Sequence, residues 1–191
     1  MASVFFITHP DVAIDPATPV PEWPLNPRGL ARMRAMLGQP WVSGIVHVAS
    51  STERKAIDGG EMLASHLRLA LVTHPGLGEN DRSATGYLPK HEFETVADAF
   101  FARANESVRG WETAVAAQSR IVAAMRDVLR AAPEGDVAVV SHGGVGALLL
   151  CHLRGEPITR AADQPAGSGG HFLRFDRTDW TLRHSWRSID P

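Results

Sequence analysis

Apolar residues along this chain fall into two rhythms. Short runs, SVFFI (3–7), IVHVAS (45–50), LALV (69–72) and DVAVVS (136–141), read as buried strands. Between them lie longer stretches with helical spacing: 28–37, 51–67, 91–103, 111–132 and 143–155. Leu30, Met33 and Leu37 share one face of the first, and Trp111, Val115, Val122, Met125 and Leu129 mostly follow the helical repeat in the fourth. Pro27 suits a first helical turn, and Ser51 or Thr52 is the expected N-cap of the second helix. GHFLRFDRTDWTLRHSW (170–186) alternates on both sides of a turn at DRTD, the pattern of a β-hairpin. Strands alternating with helices predict a three-layer α/β/α sandwich with a mostly parallel central sheet and a C-terminal β-hairpin, a single domain over 1–191. Two stretches break the rhythm. Residues 11–27 hold five prolines, which excludes a helix interior or a central strand, and 73–90 is turn chemistry throughout.

Composition changes this picture little. Hydrophobic residues make up 44% and charged residues 21%, with a formal net charge of -2. That balance carries no nucleic-acid footprint. The single cysteine, Cys151, rules out a disulfide within the chain and reads as a small buried hydrophobe. The first ten residues lack a basic region, and their apolar run is too short for a signal peptide or a membrane span. No membrane contact is expected, and the cytoplasm is the expected location; the sequence is silent on oligomeric state.

Candidate chemistry gathers where the strands end. Thr8-His9-Pro10 follows the first strand, Ser50-Ser51-Thr52-Glu53-Arg54 the second, and Ser141-His142-Gly143-Gly144 the fourth. If these strands run parallel, two histidines and an arginine share the rim where open α/β sheets bind ligands. Gly143 and Gly144 open a helix whose first N–H groups suit an anion. Imidazoles, a guanidinium and helix amides together suit a phosphoryl group.

These segments, FFITHP, SSTERKA, GLGEND and VVSHGG in that order, resemble the histidine phosphatase superfamily, the phosphoglycerate mutase-like proteins. That family carries Arg-His-Gly after the first strand, Ser-x-x-x-Arg after the second, Leu-x-Glu in the following loop and Ser/Thr-His-Gly-Gly after a late strand. The resemblance implies a phosphatase that acts on a small phosphomonoester or phosphoanhydride without a metal or other cofactor. In that reading His9 is the nucleophile and becomes a phosphohistidine. Arg54 holds phosphate oxygens, His142 stabilises transition-state charge, and Glu79 protonates the leaving group and then activates water. Thr8 and Gly143 complete the expected substrate contacts.

The chain departs from the family pattern at Thr8, where the family has arginine, and at Pro10, where it has glycine. In the same register Asp15 stands where members often carry a phosphate-binding asparagine. These departures define a second reading, a catalytically weak or inactive module that binds a phosphorylated ligand or phosphate ion. Arg82, three residues past Glu79, is a candidate substitute cation. Other classes fall away. There is no G-x-S-x-G elbow, no Walker motif and no complete dinucleotide fingerprint. A metal between His9 and His142 lacks an evident carboxylate at ligand spacing.

Overall fold

A computed structural model describes residues 2–191. Six strands form one sheet: β1 (Ser3–Thr8), β2 (Ile45–Ser50), β3 (Leu71–Thr73), β4 (Asp136–Ser141), β5 (His171–Asp176) and β6 (Leu182–Ser188), in the order β3-β2-β4-β1-β5-β6. The first four run parallel, and β5 and β6 form the antiparallel closing hairpin. The parallel strands at the centre are buried on both faces, which is why they read as nearly continuous apolar runs.

Alternate residues of β1 face different helical layers. Phe5 and Ile7 pack with Met33 and Met36 of α1 (Pro27–Met36) and with Ala56, Leu63 and Ala64 of α2 (Arg54–Leu67). Val4 and Phe6 pack with α3 (Lys90–Ala102), α4 (Ala114–Ala131) and α5 (Gly143–Arg154). This is the expected sandwich. Among the described residues no helix is long and apolar enough to cross a membrane.

Boundaries moved where local chemistry had a better use. Asn26 caps α1 by accepting from the Gly29 N–H, and Thr113 caps α4, so the long helix starts three residues later than its apolar pattern. α2 starts at Arg54 with Glu53 in the N-cap position and no side-chain cap. Neither Ser51 nor Thr52, the two expected caps, stands there, and Ser51 is used elsewhere. Gly59 and Gly60, which weaken the pattern of α2, are needed for packing. A Cβ on Gly60 would lie 2.8 Å from Leu71 Cδ1, and one on Gly59 would lie 3.1 Å from Met33 Cε. Their absence brings α2 down onto the sheet. The hairpin turn runs longer than DRTD. It extends through Trp180, whose φ of 61° excludes it from a strand. The proline-rich segment folds back by pairing Val12 with Leu25, and Trp23 is buried in it, its indole N–H donating to the carbonyls of Asp15 and Thr18.

Candidate active site

Strand register brings the site together. Thr8 pairs with Ser141 and Ser50 with Val140, so the three chains leave the sheet at one level. The ladder continues one step: His9 N–H donates to Ser141 O and Ser51 N–H to Val140 O. His9, Ser51 and His142 therefore emerge side by side. The rings of His9 and His142 meet edge to face, with centroids 5.1 Å apart.

His9 is oriented by its own neighbourhood. Its Nδ1 lies 2.9 Å from the Pro10 carbonyl oxygen. A carbonyl only accepts, so Nδ1 carries the proton and Nε2 keeps its lone pair. The His9 carbonyl accepts from Gly170 N–H, and the backbone of Gly169 passes so close that a Cβ there would lie 2.2 Å from the His9 oxygen. Burial pushes the His9 ring down to about 4, against the opposing pull of the Pro10 carbonyl, with Lys55 adding to the fall.

His142 is fully buried. Its Nε2 lies 2.7 Å from Ser51 Oγ and 3.4 Å from Glu53 Oε1, and its Nδ1 has no hydrogen-bond partner among the described residues. Burial pushes His142 down to about 4 as well, with Glu53 opposing. Both rings are then neutral at pH 7. Because folded values sit below the ordinary 6.5, their contribution to stability is full above about pH 6.5. It is lost as the pH falls toward 4, since the unfolded chain takes up protons first. We expect the Tm of the native chain to fall between pH 6.5 and 4 more steeply than that of His142→Asn, measured by circular dichroism melts.

Two carboxylates and one ammonium complete the cluster. Lys55 is buried, and its Nζ donates to Val20 O at 2.8 Å and to Glu53 Oε2 at 2.5 Å. Glu53 Oε1 accepts from the Glu79 N–H at 2.8 Å. Burial works against the charged form of Glu53, but His142 and Lys55 outweigh it and hold the carboxyl down to about 2. Above pH 4 or so, where His142 is neutral, Lys55 and the Glu79 N–H carry that stabilisation. Glu79 itself reaches the start of α5, accepting from Gly144 N–H at 3.1 Å and Val145 N–H at 2.9 Å. A Cβ on Gly144 would lie 2.7 Å from the Glu79 carboxylate, so this glycine makes the approach possible. Arg120 of α4 fixes the Glu79 loop by donating to the carbonyls of Gly76, Gly78 and Glu79, and Glu112 holds Arg120 in turn. A cavity of about 600 Å³ is lined by Glu53 and Glu79 together with Pro19, Val20, Asn80 and Arg82. Among the described residues no group of three or more His, Cys, Asp or Glu side chains is arranged to hold a metal ion.

A family model described as "Histidine phosphatase superfamily (branch 1)" matches residues 17–185. The chain belongs to the histidine phosphatase superfamily. Solved structures agree on the fold. A mycobacterial glucosyl-3-phosphoglycerate phosphatase, in complex with inorganic phosphate, superposes with a TM-score of 0.79 at 19% identity, covering 99% of each chain. A putative alpha-ribazole-5'-P phosphatase from Escherichia coli gives 0.75 at 17% identity, over 100% of this chain and 98% of its own. YhfR from Bacillus stearothermophilus gives 0.75 at 15% identity, over 99% and 97%. None of the curated proteins matches the chain in sequence.

Within this superfamily fold the structure gathers three of the four expected catalytic residues, His9, Glu79 and His142. The fourth, Arg54, lies elsewhere. Its side chain is 60% exposed and its Nε donates to Asp58 Oδ1 at 2.7 Å along the outside of α2. The cation in the cluster is Lys55. Ser50-Ser51 offers two registers for Ser-x-x-x-Arg: counting from Ser50 gives Arg54, and counting from Ser51 gives Lys55. Ser51 is the serine that binds His142, and Lys55, the basic residue counted from it, is buried in the cluster while Arg54 points away, since adjacent helical residues point about 100° apart. The hydroxyl of Thr8 is engaged with Gln164 Oε1 at 2.6 Å and with the backbone of His171. The expected open helix terminus is occupied: Glu79 takes the Gly144 and Val145 amides, and Gln164 lies over Gly143, where a Cβ would meet its Nε2 at 2.4 Å. Asp15 is exposed and folded onto Thr18 and Ala17. Arg82 lines the cavity with its guanidinium over the rings of Phe93 and Trp111, and its charge is felt at His9. Glu53, Lys55 and Arg120 escaped the sequence reading. Only the doubled serine held a signal for Lys55.

Proposed function

We propose that the chain is a metal-independent phosphatase for a small phosphomonoester or phosphoanhydride, working through a phosphohistidine on His9. The observation that carries this reading is the orientation of His9. Its Nδ1–H is tied to the Pro10 carbonyl, so the lone pair of a neutral ring is presented at Nε2.

In the first step Nε2 attacks phosphorus, the ester P–O bond breaks, and the leaving oxygen takes a proton from Glu79. In the second step Glu79 takes a proton from water, the water oxygen bonds to phosphorus, and the N–P bond breaks. Inorganic phosphate leaves and His9 returns to its neutral form. Lys55 supplies the cationic contact to the phosphoryl oxygens, and the neighbouring His142 supplies a ring donor. When an anion arrives, the amides of Gly144 and Val145 pass to its oxygens, which frees the Glu79 carboxyl for the leaving group.

The test of this reading is an incubation with p-nitrophenyl phosphate in EDTA, quenched in alkali and followed by mass spectrometry. Turnover with one added phosphoryl group on His9 is the expected result; no turnover and no adduct across a panel of phosphorylated metabolites removes the reading. The cation assignment has its own check. Arg54→Ala is expected to leave kcat/KM within about twofold, because its guanidinium pairs with Asp58 and its side chain is 60% exposed. Lys55→Met is expected to raise KM by roughly tenfold to a hundredfold, the worth of one charge-assisted contact. A large loss in Arg54→Ala overturns the register argued from Ser51.

Two features of the site favour the second reading, a module that binds a phospho-ligand without turning it over. Lys55 is already paired with Glu53, and Thr8 supplies no charge beside His9. Phosphate that raises the Tm of a chain unable to hydrolyse any ester in the panel is the result that selects it.

A further inference from the structure

Glu53 is a carboxylate inside an anion pocket, and the reaction proposed above gives it no task. It stands at the N-cap position of α2 without capping it. Both of its oxygens point into the cluster instead. Oε2 takes the Lys55 ammonium at 2.5 Å; Oε1 takes the Glu79 amide at 2.8 Å and lies 3.4 Å from His142 Nε2. An ammonium, a backbone N–H and an imidazole nitrogen converging on two oxygens are what a phosphoryl group would require. Glu53 therefore already sits as an anion in part of the site where the substrate's anion belongs.

The local charge sharpens the point. With both imidazoles neutral, the cations near this cluster are Lys55, Arg82 and Arg120; Glu112 already pairs with Arg120 and Glu53 with Lys55. A weak anion has little to gain here. Its contacts with Lys55 would replace those of Glu53 one for one, and two like charges would remain a few ångströms apart. A doubly charged group gains more from each contact than a carboxylate does. Glu53 also has somewhere to go, because its side chain lines the cavity of about 600 Å³.

We propose that Glu53 is a specificity-determining residue that competes with the substrate for Lys55 and the Glu79 amide, so that the pocket accepts dianionic phosphomonoesters and rejects singly charged anions such as sulfate monoesters and phosphodiesters. The inference rests on the phosphatase reading for the nature of the anion. Its test needs no turnover, so a chain that binds phosphate under the control of Glu53 without hydrolysing an ester keeps this inference and loses that reading.

The test is a calorimetric titration at pH 8 of the native chain, Glu53→Gln and Lys55→Met, with inorganic phosphate as the dianion and methyl sulfate as the monoanion. The native chain is expected to bind phosphate and not methyl sulfate. Removing one opposing charge is expected to tighten phosphate by about tenfold in Glu53→Gln and to let methyl sulfate bind. Lys55→Met is expected to lose phosphate. Phosphate binding that is no tighter in Glu53→Gln than in the native chain overturns the proposal, as does absence of phosphate binding in both. A measurement on the native chain guards against a variant that fails to fold. Displacement of Glu53 removes the acceptor of the Glu79 N–H, so the Glu79 amide resonance is expected to move on addition of phosphate. An amide resonance unchanged at saturating phosphate overturns the proposal equally.

Discussion

Replacing His9 with alanine is expected to lower kcat for p-nitrophenyl phosphate by at least about 10³-fold and to abolish the phosphoryl adduct. The reason is positional. Of the other three ring nitrogens, His9 Nδ1 is held on Pro10 O, His142 Nε2 is engaged by Ser51 and lies near Glu53, and His142 Nδ1, without a hydrogen-bond partner among the described residues, belongs to a fully buried ring. Loss of the ring leaves only positioning by Lys55 and His142, which cannot form the covalent intermediate. The backbone is not at risk, because His9 is held by its own N–H on Ser141 and its carbonyl on Gly170, neither of which needs the side chain. Steady-state rates on the two chains at matched Tm check this. Activity within tenfold of native in His9→Ala places the nucleophile elsewhere.

The second large effect concerns Glu79. Glu79→Gln keeps an oxygen able to accept from the start of α5 but can neither give nor take a proton in the reaction. It is expected to lower kcat for an alkyl phosphate by about 10² to 10⁴-fold. With p-nitrophenyl phosphate the leaving phenolate needs little protonation, so the deficit in phosphoryl transfer to His9 is expected to be much smaller. That difference separates proton donation from loss of structure, since a collapsed site would harm both substrates alike. The collapsed outcome is a real alternative, because Glu79 also holds Gly144 and Val145. Equal losses on both substrates in the transfer to His9, read as the burst of leaving group, remove Glu79 as the proton donor.

Particular residues show what could be read in advance. His9 and His142 each follow an apolar run that reads as a buried strand, and strands that run parallel end on one rim. Their convergence required those strands to be parallel, which the strand pairing shows, and the rings lie 5.1 Å apart. Gly143 and Gly144 open a helix whose first N–H groups suit an anion, and the anion found there is the Glu79 carboxylate. Arg54 shows the opposite case. Arg54 and Lys55 have the same sign and adjacent positions, and only the direction in which each leaves α2 separates a surface ion pair with Asp58 from a buried ammonium beside Glu53.

The sequence by itself determined the alternation of strands and helices, hence the layered α/β architecture, and it placed the two histidines at strand ends. Those depend on periodicity and chain direction, which are local properties. Tertiary structure alone decided which cation enters the cluster, that Glu79 covers the start of α5, and that Glu53 sits on Lys55. Arg120, on a distant helix, was also chosen there to hold the Glu79 loop in place. Each of these is a contact between side chains and backbone brought together by strand register and helix phase, and a shift of one residue in either would have changed the partner.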